Sequence, residues 1–179
     1  ANAEVRGVDR VLFTAEQIRR CVVRLGRQIS KDYKDKQPIL VGVQRGMVCF
    51  MADLMREISL PVGIDFLSIS HYAGQDPKGV RITKDLDVDL SSQDVILVED
   101  IVDTGMTLNY ILGHLKSKTP SSVEVCTLLD KRARRLADVS MRYVGFEVAD
   151  EFLVGYGLDY LEKYRNLPFI GVLKPDSKG

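Results

Sequence analysis

The segment that most constrains the fold runs from Asp94 to Leu115 and reads DVILVEDIVDTGMTLNYILGHL. Val95 to Val98 is a short apolar run rich in β-branched residues, too short for a helix and suited to a fully buried strand. Glu99 and Asp100 follow at its carboxyl end, and Asp103-Thr104-Gly105-Met106-Thr107 makes a turn. Leu108, Ile111, Leu112 and Leu115 then recur at helical spacing. The order is strand, acidic loop, glycine turn, helix. In an open α/β sheet, ligands sit in the crevice beyond the strand carboxyl ends, where this loop lies.

The turn's chemistry suits an anion. A helix N-terminus offers unpaired N–H groups and partial positive charge, and Gly105 allows close approach of the backbone. Thr104 and Thr107 add hydroxyl donors, and Met106 lies between them. Carboxylates beside an anion make sense once a sugar and a divalent cation are included. Glu99 and Asp100 can accept from ribose hydroxyls, and Mg²⁺ binds through one or two carboxylates plus substrate phosphates. An ordinary crossover with a glycine turn would explain Gly105 and one carboxylate, but not three carboxylates flanking two hydroxyls.

The rest of the chain reads as more of the same architecture. Thr14-Ala15-Glu16-Gln17 is a capping box opening a helix whose apolar face is Ile18, Val22, Leu25 and Ile29. Ile39 to Val43 is a buried strand ending in Gln44-Arg45-Gly46, followed by a helix with Met47, Phe50, Met51, Leu54 and Met55 inside. Val62 to Ser70 is a third buried strand, and residues 71–79 break all periodicity, as a lid loop does. Val80 to Thr83 and Val88 to Leu90 are expected to form the far arm of that lid. Val123 to Leu129 is a strand ending in Asp130-Lys131. Tyr143 to Val148 and Phe152 to Tyr156 read as a strand pair, and Leu167 to Leu173 as a last strand with Pro168 near its start. The expected fold is α/β: a twisted, mainly parallel sheet flanked by helices. Thr14 onward and the segment after Val139 are expected to form a small hood.

Composition narrows the class. A chain of 179 residues is one domain by the usual prior, taken here as 1–179. Lys+Arg and Asp+Glu are 25 each, so no basic excess argues for nucleic acid. No apolar run is long enough to span a bilayer, and the N-terminal residues lack a signal peptide's apolar core. Cys21, Cys49 and Cys126 are far apart and odd in number, so small buried hydrophobes are expected rather than a disulfide or zinc framework. A cytoplasmic protein is the expectation.

VILVEDIVDTGMT resembles the ribose-phosphate signature of the phosphoribosyltransferases, and its Glu-Asp followed by Asp-Thr-Gly resembles the hypoxanthine-guanine branch. GVQRG, SHY, TLLDK and FLVGYGLDYLEKYRNLPFIG match further segments of that family in its order, from about Ile39 to Leu173. The resemblance implies transfer of a 5-phosphoribosyl group from 5-phosphoribosyl 1-pyrophosphate to N9 of hypoxanthine or guanine, with Mg²⁺. It implies that the stretch from Glu99 to Thr107 binds the donor's ribose and 5′-phosphate, with Asp103 taking the purine N7 proton. Arg45, Gly46 and Arg165 match pyrophosphate residues, although Gln44-Arg45-Gly46 departs from the family's common Leu-Lys-Gly. A cis peptide there belongs to the family pattern. Lys131 matches the lysine that reads the purine C6 oxygen, Phe152 the stacking aromatic, and Leu153 a backbone reader of the base edge. Glu99, Asp100 and Asp159 match metal-side carboxylates. Tyr72 matches the lid tyrosine, whereas His71 stands where the family has Ser. A homodimer or homotetramer is implied. Two alternatives remain: a transferase for xanthine or a pyrimidine, and a nucleotide-sensing RNA-binding regulator on the same fold.

Overall fold

The computed structural model describes residues 5–71 and 79–178. In chain order the elements are β1 (Val8–Phe13), α1 (Ala15–Asp32), β2 (Ile39–Gln44), α2 (Val48–Glu57), β3 (Gly63–His71), β4 (Val80–Lys84), β5 (Asp94–Val102), α3 (Met106–Lys116), β6 (Ser122–Asp130), β7 (Tyr143–Glu147), β8 (Leu153–Val154) and β9 (Ile170–Leu173). Six strands form one sheet in the order β4-β3-β2-β5-β6-β7, parallel except where β4 returns beside β3. β1, β9 and β8 form a separate antiparallel sheet, the hood.

β5 shows why an unbroken apolar run belongs at the centre. Successive side chains of a strand point to opposite faces. Ile96 and Val98 accordingly join α1 and α2 in one buried cluster, while Val95 and Leu97 join α3 in another. Thr14 caps α1 as the sequence predicts, accepting from Gln17 N at 3.2 Å while Gln17 Oε1 accepts from Thr14 N at 2.8 Å. Leu108, Ile111, Leu112 and Leu115 are the buried face of α3, each worth roughly 1.5–3 kcal/mol of burial. Leu153, Ile170 and Val172 of the hood lie in the same cluster as Leu40 and Ile96 of the main sheet.

The topology creates the crevice. From β2 the chain proceeds outward to β3, whereas β5, on the other side of β2, leads outward to β6 and β7. The strand order therefore reverses between β2 and β5, and a crevice opens beyond their carboxyl ends.

Several expectations need correction. β5 continues through Val102, so Glu99 and Asp100 lie within the strand; the equally long β6 supplies partners out to Val102↔Asp130. β7 and β8 do not pair: β7 completes the parallel sheet beside β6, and among the described residues β8 pairs with β9 alone. The hood begins at β1 rather than Thr14, and α1 packs against α2 and β7. β3 is only half covered, with Asp65 and Leu67 buried and Ile64 exposed. Val88 to Leu90 is no lid arm. Asp65 Oδ2 accepts from the Asp87 and Val88 amides at 2.8 and 2.9 Å, and Leu90 is buried in the core. Residues 167–169 precede β9 instead of belonging to it.

Candidate active site

The turn after β5 is held from behind. Gly105 is the N-cap of α3 at φ 81°, in the left-handed region that glycine adopts without a Cβ penalty. A Cβ there would also come within 2.8 Å of Arg135 Cδ. Gly105 has no side chain to cap the helix, and the Thr104 hydroxyl accepts from the first helical amide, Met106 N, at 3.3 Å. The chain following β6 clamps the turn: Leu136 and Ala137 amides donate to Thr104 O at 2.8 and 3.1 Å, and Arg135 Nε donates to Asp103 O at 3.3 Å. Arg135 is itself fixed by an ion pair with Asp130. A cavity of about 210 Å³ opens over the turn, lined by His71, Glu99, Ile101, Val102, Asp103, Thr104, Gly105, Thr107 and Leu108.

A second cavity, of about 240 Å³, is lined by Asp100, Ile101, Asp103, Lys131, Phe152, Leu153, Leu158 and Asp159. The two share Ile101 and Asp103. Lys131 is buried, its Nζ 3.9 Å from Asp103 Oδ2 and 3.7 Å from Asp150 Oδ1. Arg134 links the same carboxylates, with Nε 2.9 Å from Asp103 Oδ1 and Nη1 donating to Asp150 Oδ1 at 3.3 Å. Phe152 meets Tyr160 edge to face, ring centroids 5.4 Å apart. Leu153 is fixed in β8 by its pairing with Val172.

A third group gathers where β2 ends. The Gln44–Arg45 peptide is cis. Gly46 is wedged between two neighbours: a Cβ on it would overlap the Asp100 carboxylate, and a Cβ on Gly157 would overlap the Gly46 carbonyl. Arg165 Nη1 donates to Gly157 O at 2.7 Å, and its Nη2 lies 3.4 Å from Asp159 Oδ1. Glu162 Oε1 bridges Arg165 Nη2 at 3.1 Å and Arg45 Nη2 at 3.2 Å. The loop holding these residues is strained, with Tyr156, Leu161, Glu162 and Tyr164 all at φ between 50° and 77°.

Electrostatics mark the carboxylates. Burial pushes Glu99 well above the usual carboxylate range, and the neighbouring Asp100 charge adds to the rise. Burial likewise pushes Asp100 up to about 6; the Ile101 amide and Arg165 oppose the rise, and Asp159 adds to it. Asp100 and Asp159 line the second cavity, and Glu99 lines the first. Among the described residues no group of three or more His, Cys, Asp or Glu side chains forms a metal cage.

The structure thus brings Glu99, Asp103, Thr104, Gly105, Thr107 and His71 around one cavity, and Asp100, Asp103, Lys131, Phe152, Leu153 and Asp159 around its neighbour. Met106 opens α3 and is exposed. Tyr72 lies outside the described residues. Sequence reasoning missed Asp150 and Arg134, which flank Lys131, and Gly157 and Glu162, which hold Gly46 and the arginines. Only the Gly-Tyr-Gly spelling of 155–157 signalled a special backbone.

Comparison with known proteins agrees with this geometry. Residues 12–161 match the family described as phosphoribosyl transferase domain. The hypoxanthine-guanine phosphoribosyltransferase of Bacillus subtilis is 43% identical over 170 residues, covering 94% of each chain. A crystal structure of a Staphylococcus aureus hypoxanthine phosphoribosyltransferase superposes with a TM-score of 0.93 at 44% identity, covering 97% of this chain and 95% of that one. A Trypanosoma cruzi hypoxanthine phosphoribosyltransferase in a ternary substrates complex gives a TM-score of 0.93 at 34% identity, covering 98% and 100%. On this likeness over nearly the whole length, the chain belongs to the phosphoribosyltransferase family, in its hypoxanthine-guanine branch.

Proposed function

We propose that this chain transfers the 5-phosphoribosyl group of 5-phosphoribosyl 1-pyrophosphate to N9 of hypoxanthine or guanine, giving IMP or GMP and pyrophosphate in purine salvage. One observation carries the reading: Asp103 and Ile101 line both cavities, so a phosphate-turn site and a base site meet at a single carboxylate. The Thr104 and Thr107 hydroxyls and the amides from Gly105 to Thr107 grip the 5′-phosphate. Glu99 and Asp100 accept from the ribose hydroxyls, and their negative charge favours the cationic ring that develops as the C1–O bond breaks. Phe152 stacks on the purine, Leu153 reads its edge through backbone groups, and Lys131 donates to the C6 oxygen. Asp103 takes the proton from N7. Arg45, Gly46 and Arg165 hold the pyrophosphate, and His71 and Tyr72 open the loop that excludes water.

Mg²⁺ suits these residues. Asp100 and Asp159 offer hard oxygen donors to one cavity, and burial, which pushes Asp100 up to about 6 despite Arg165, is a penalty that a bound cation would offset. Mg²⁺ commonly uses only one or two carboxylates and completes its shell with substrate phosphates and water. Asp100 and Asp159 would hold it, with Glu99 lining the neighbouring cavity; bound there, it would neutralise charge on the leaving pyrophosphate.

We further read residues 1–179 as one domain, since hood and main sheet share a buried cluster. The family resemblance supports a homodimer or homotetramer. A cytoplasmic setting is supported by three free cysteines, and no helix among the described residues is long and apolar enough to cross a membrane. The test is a spectrophotometric assay of each base with donor and Mg²⁺. Hypoxanthine and guanine should be used far better than adenine or uracil; a preference for either of those would sink the base assignment.

A further inference from the structure

Glu162 stands between two arginines that the proposed reaction needs for its leaving group, and it has so far been assigned no part in the chemistry. Its Oε1 lies 3.1 Å from Arg165 Nη2 and 3.2 Å from Arg45 Nη2. Backbone geometry brings the carboxylate there. The Glu162 amide donates to Asp159 Oδ2 at 2.9 Å, and the residue sits at φ 59° directly after Leu161 at φ 50°, inside the Tyr160–Lys163 bridge. Consecutive left-handed residues without glycine are uncommon, so the turn holds this side chain in place against a backbone cost. Arg165 is not saturated by its neighbours: its buried Nε has no hydrogen-bond partner among the described residues. Two guanidinium groups thus converge on a single oxyanion, the arrangement that also recognises a phosphate oxygen.

We propose that Glu162 is an internal stand-in for a pyrophosphate oxygen: it occupies Arg45 and Arg165 in the free enzyme, is displaced when the donor binds, and returns to help expel pyrophosphate. The inference rests on the reading of those two arginines as leaving-group residues. Its consequence is directional. A carboxylate competing for the same arginines weakens binding of every ligand that carries the pyrophosphate group and leaves binding of the base alone. A carboxylate that merely orients the arginines would do the opposite, and its removal would weaken pyrophosphate binding.

Glu162→Gln decides between them, measured by calorimetric titration of pyrophosphate with Mg²⁺ and by the KM for the donor. Both constants should fall roughly three- to tenfold, as expected for releasing two partly exposed ion pairs, while the KM for hypoxanthine stays put. Glu162→Asn, whose short amide tolerates left-handed backbone and does not reach both arginines, should shift the constants the same way. Unchanged or weaker pyrophosphate binding in both variants of an active enzyme would overturn the inference alone. A wild type that fails to bind pyrophosphate with Mg²⁺ would sink the reading of Arg45 and Arg165 as leaving-group residues, and the inference with it. A wild type that binds it yet makes no nucleotide from either base would sink the reaction and leave the role of Glu162 to the same titration.

Discussion

Asp100→Asn should make the protein more stable and nearly inactive. Its carboxylate lies within the central strand, two residues before that strand ends, and burial pushes it from an ordinary 3.8 to about 6 while the nearby Asp159 adds to the rise. At about 1.4 kcal/mol per unit, that rise is a penalty of roughly 3 kcal/mol on the ionised folded state, as an upper figure. A raised folded value means that the folded protein holds the proton longer than the unfolded chain does. The penalty is therefore absent below about pH 4, grows as pH rises towards 6, and is complete above it. An asparagine has no charge to bury, and losing the Asp100 charge also relieves Glu99. Urea unfolding in excess chelator should then give a variant about 1–3 kcal/mol more stable than wild type at pH 7.5, with the difference vanishing near pH 4. The same variant should lose Mg²⁺-dependent turnover, as expected where function is built on a destabilised site. A variant of equal or lower stability at pH 7.5 would refute the claim that Asp100 is an unfavourably buried charge.

Three other substitutions probe separate parts of the site. Asp103→Asn keeps the side-chain shape and leaves the Thr104 and Thr107 hydroxyls untouched, so steady-state kinetics should show kcat falling about 10²- to 10⁴-fold with donor KM changed several-fold at most; near-normal kcat would mean another group takes the proton. Lys131→Ala should raise the KM for hypoxanthine about ten- to a hundredfold, from the loss of a charged hydrogen bond, and leave donor binding alone. The reverse pattern would remove Lys131 from the base. Gly157→Ala places a methyl against the Gly46 carbonyl at φ 96°; thermal unfolding should show a loss of at least about 1–3 kcal/mol, and the donor KM should rise because Gly46 must shift.

Local pattern carried the parts of this chain where one face or one cap decides the structure. The Thr14 capping box, the apolar stripe of α1 and the buried run of β5 could be read directly, because hydrophobic period and capping chemistry are local. Partnership between distant segments was not legible. Residues 143–147 and 153–154 look alike as short apolar strands, and only three-dimensional pairing assigns them to different sheets. The end of β5 was misread because Glu99 and Asp100 break the apolar run, although the long β6 keeps the ladder going. Leu90 reads as loop, yet Asp65, a buried carboxylate on β3, pins the loop that carries it into the core. Burial alone would raise Asp65; the Val88, Phe66 and Asp87 amides outweigh it and lower the group. At the site, motif order pointed to the residues around both cavities. Glu162, Asp150 and Arg134 escaped because a supporting charge looks like any solvated charge until its partner is known.

With Asp103 joining a donor site to a base site, the phosphoribosyl group should pass directly between them. Product stoichiometry tests this most directly: purified protein, donor, Mg²⁺ and hypoxanthine, with IMP, pyrophosphate and free ribose 5-phosphate quantified together by chromatography. One IMP should form for each pyrophosphate, with almost no ribose 5-phosphate, because the acceptor base is held against the C1 that loses pyrophosphate. Pyrophosphate released in step with ribose 5-phosphate, or no IMP at all, would contradict it.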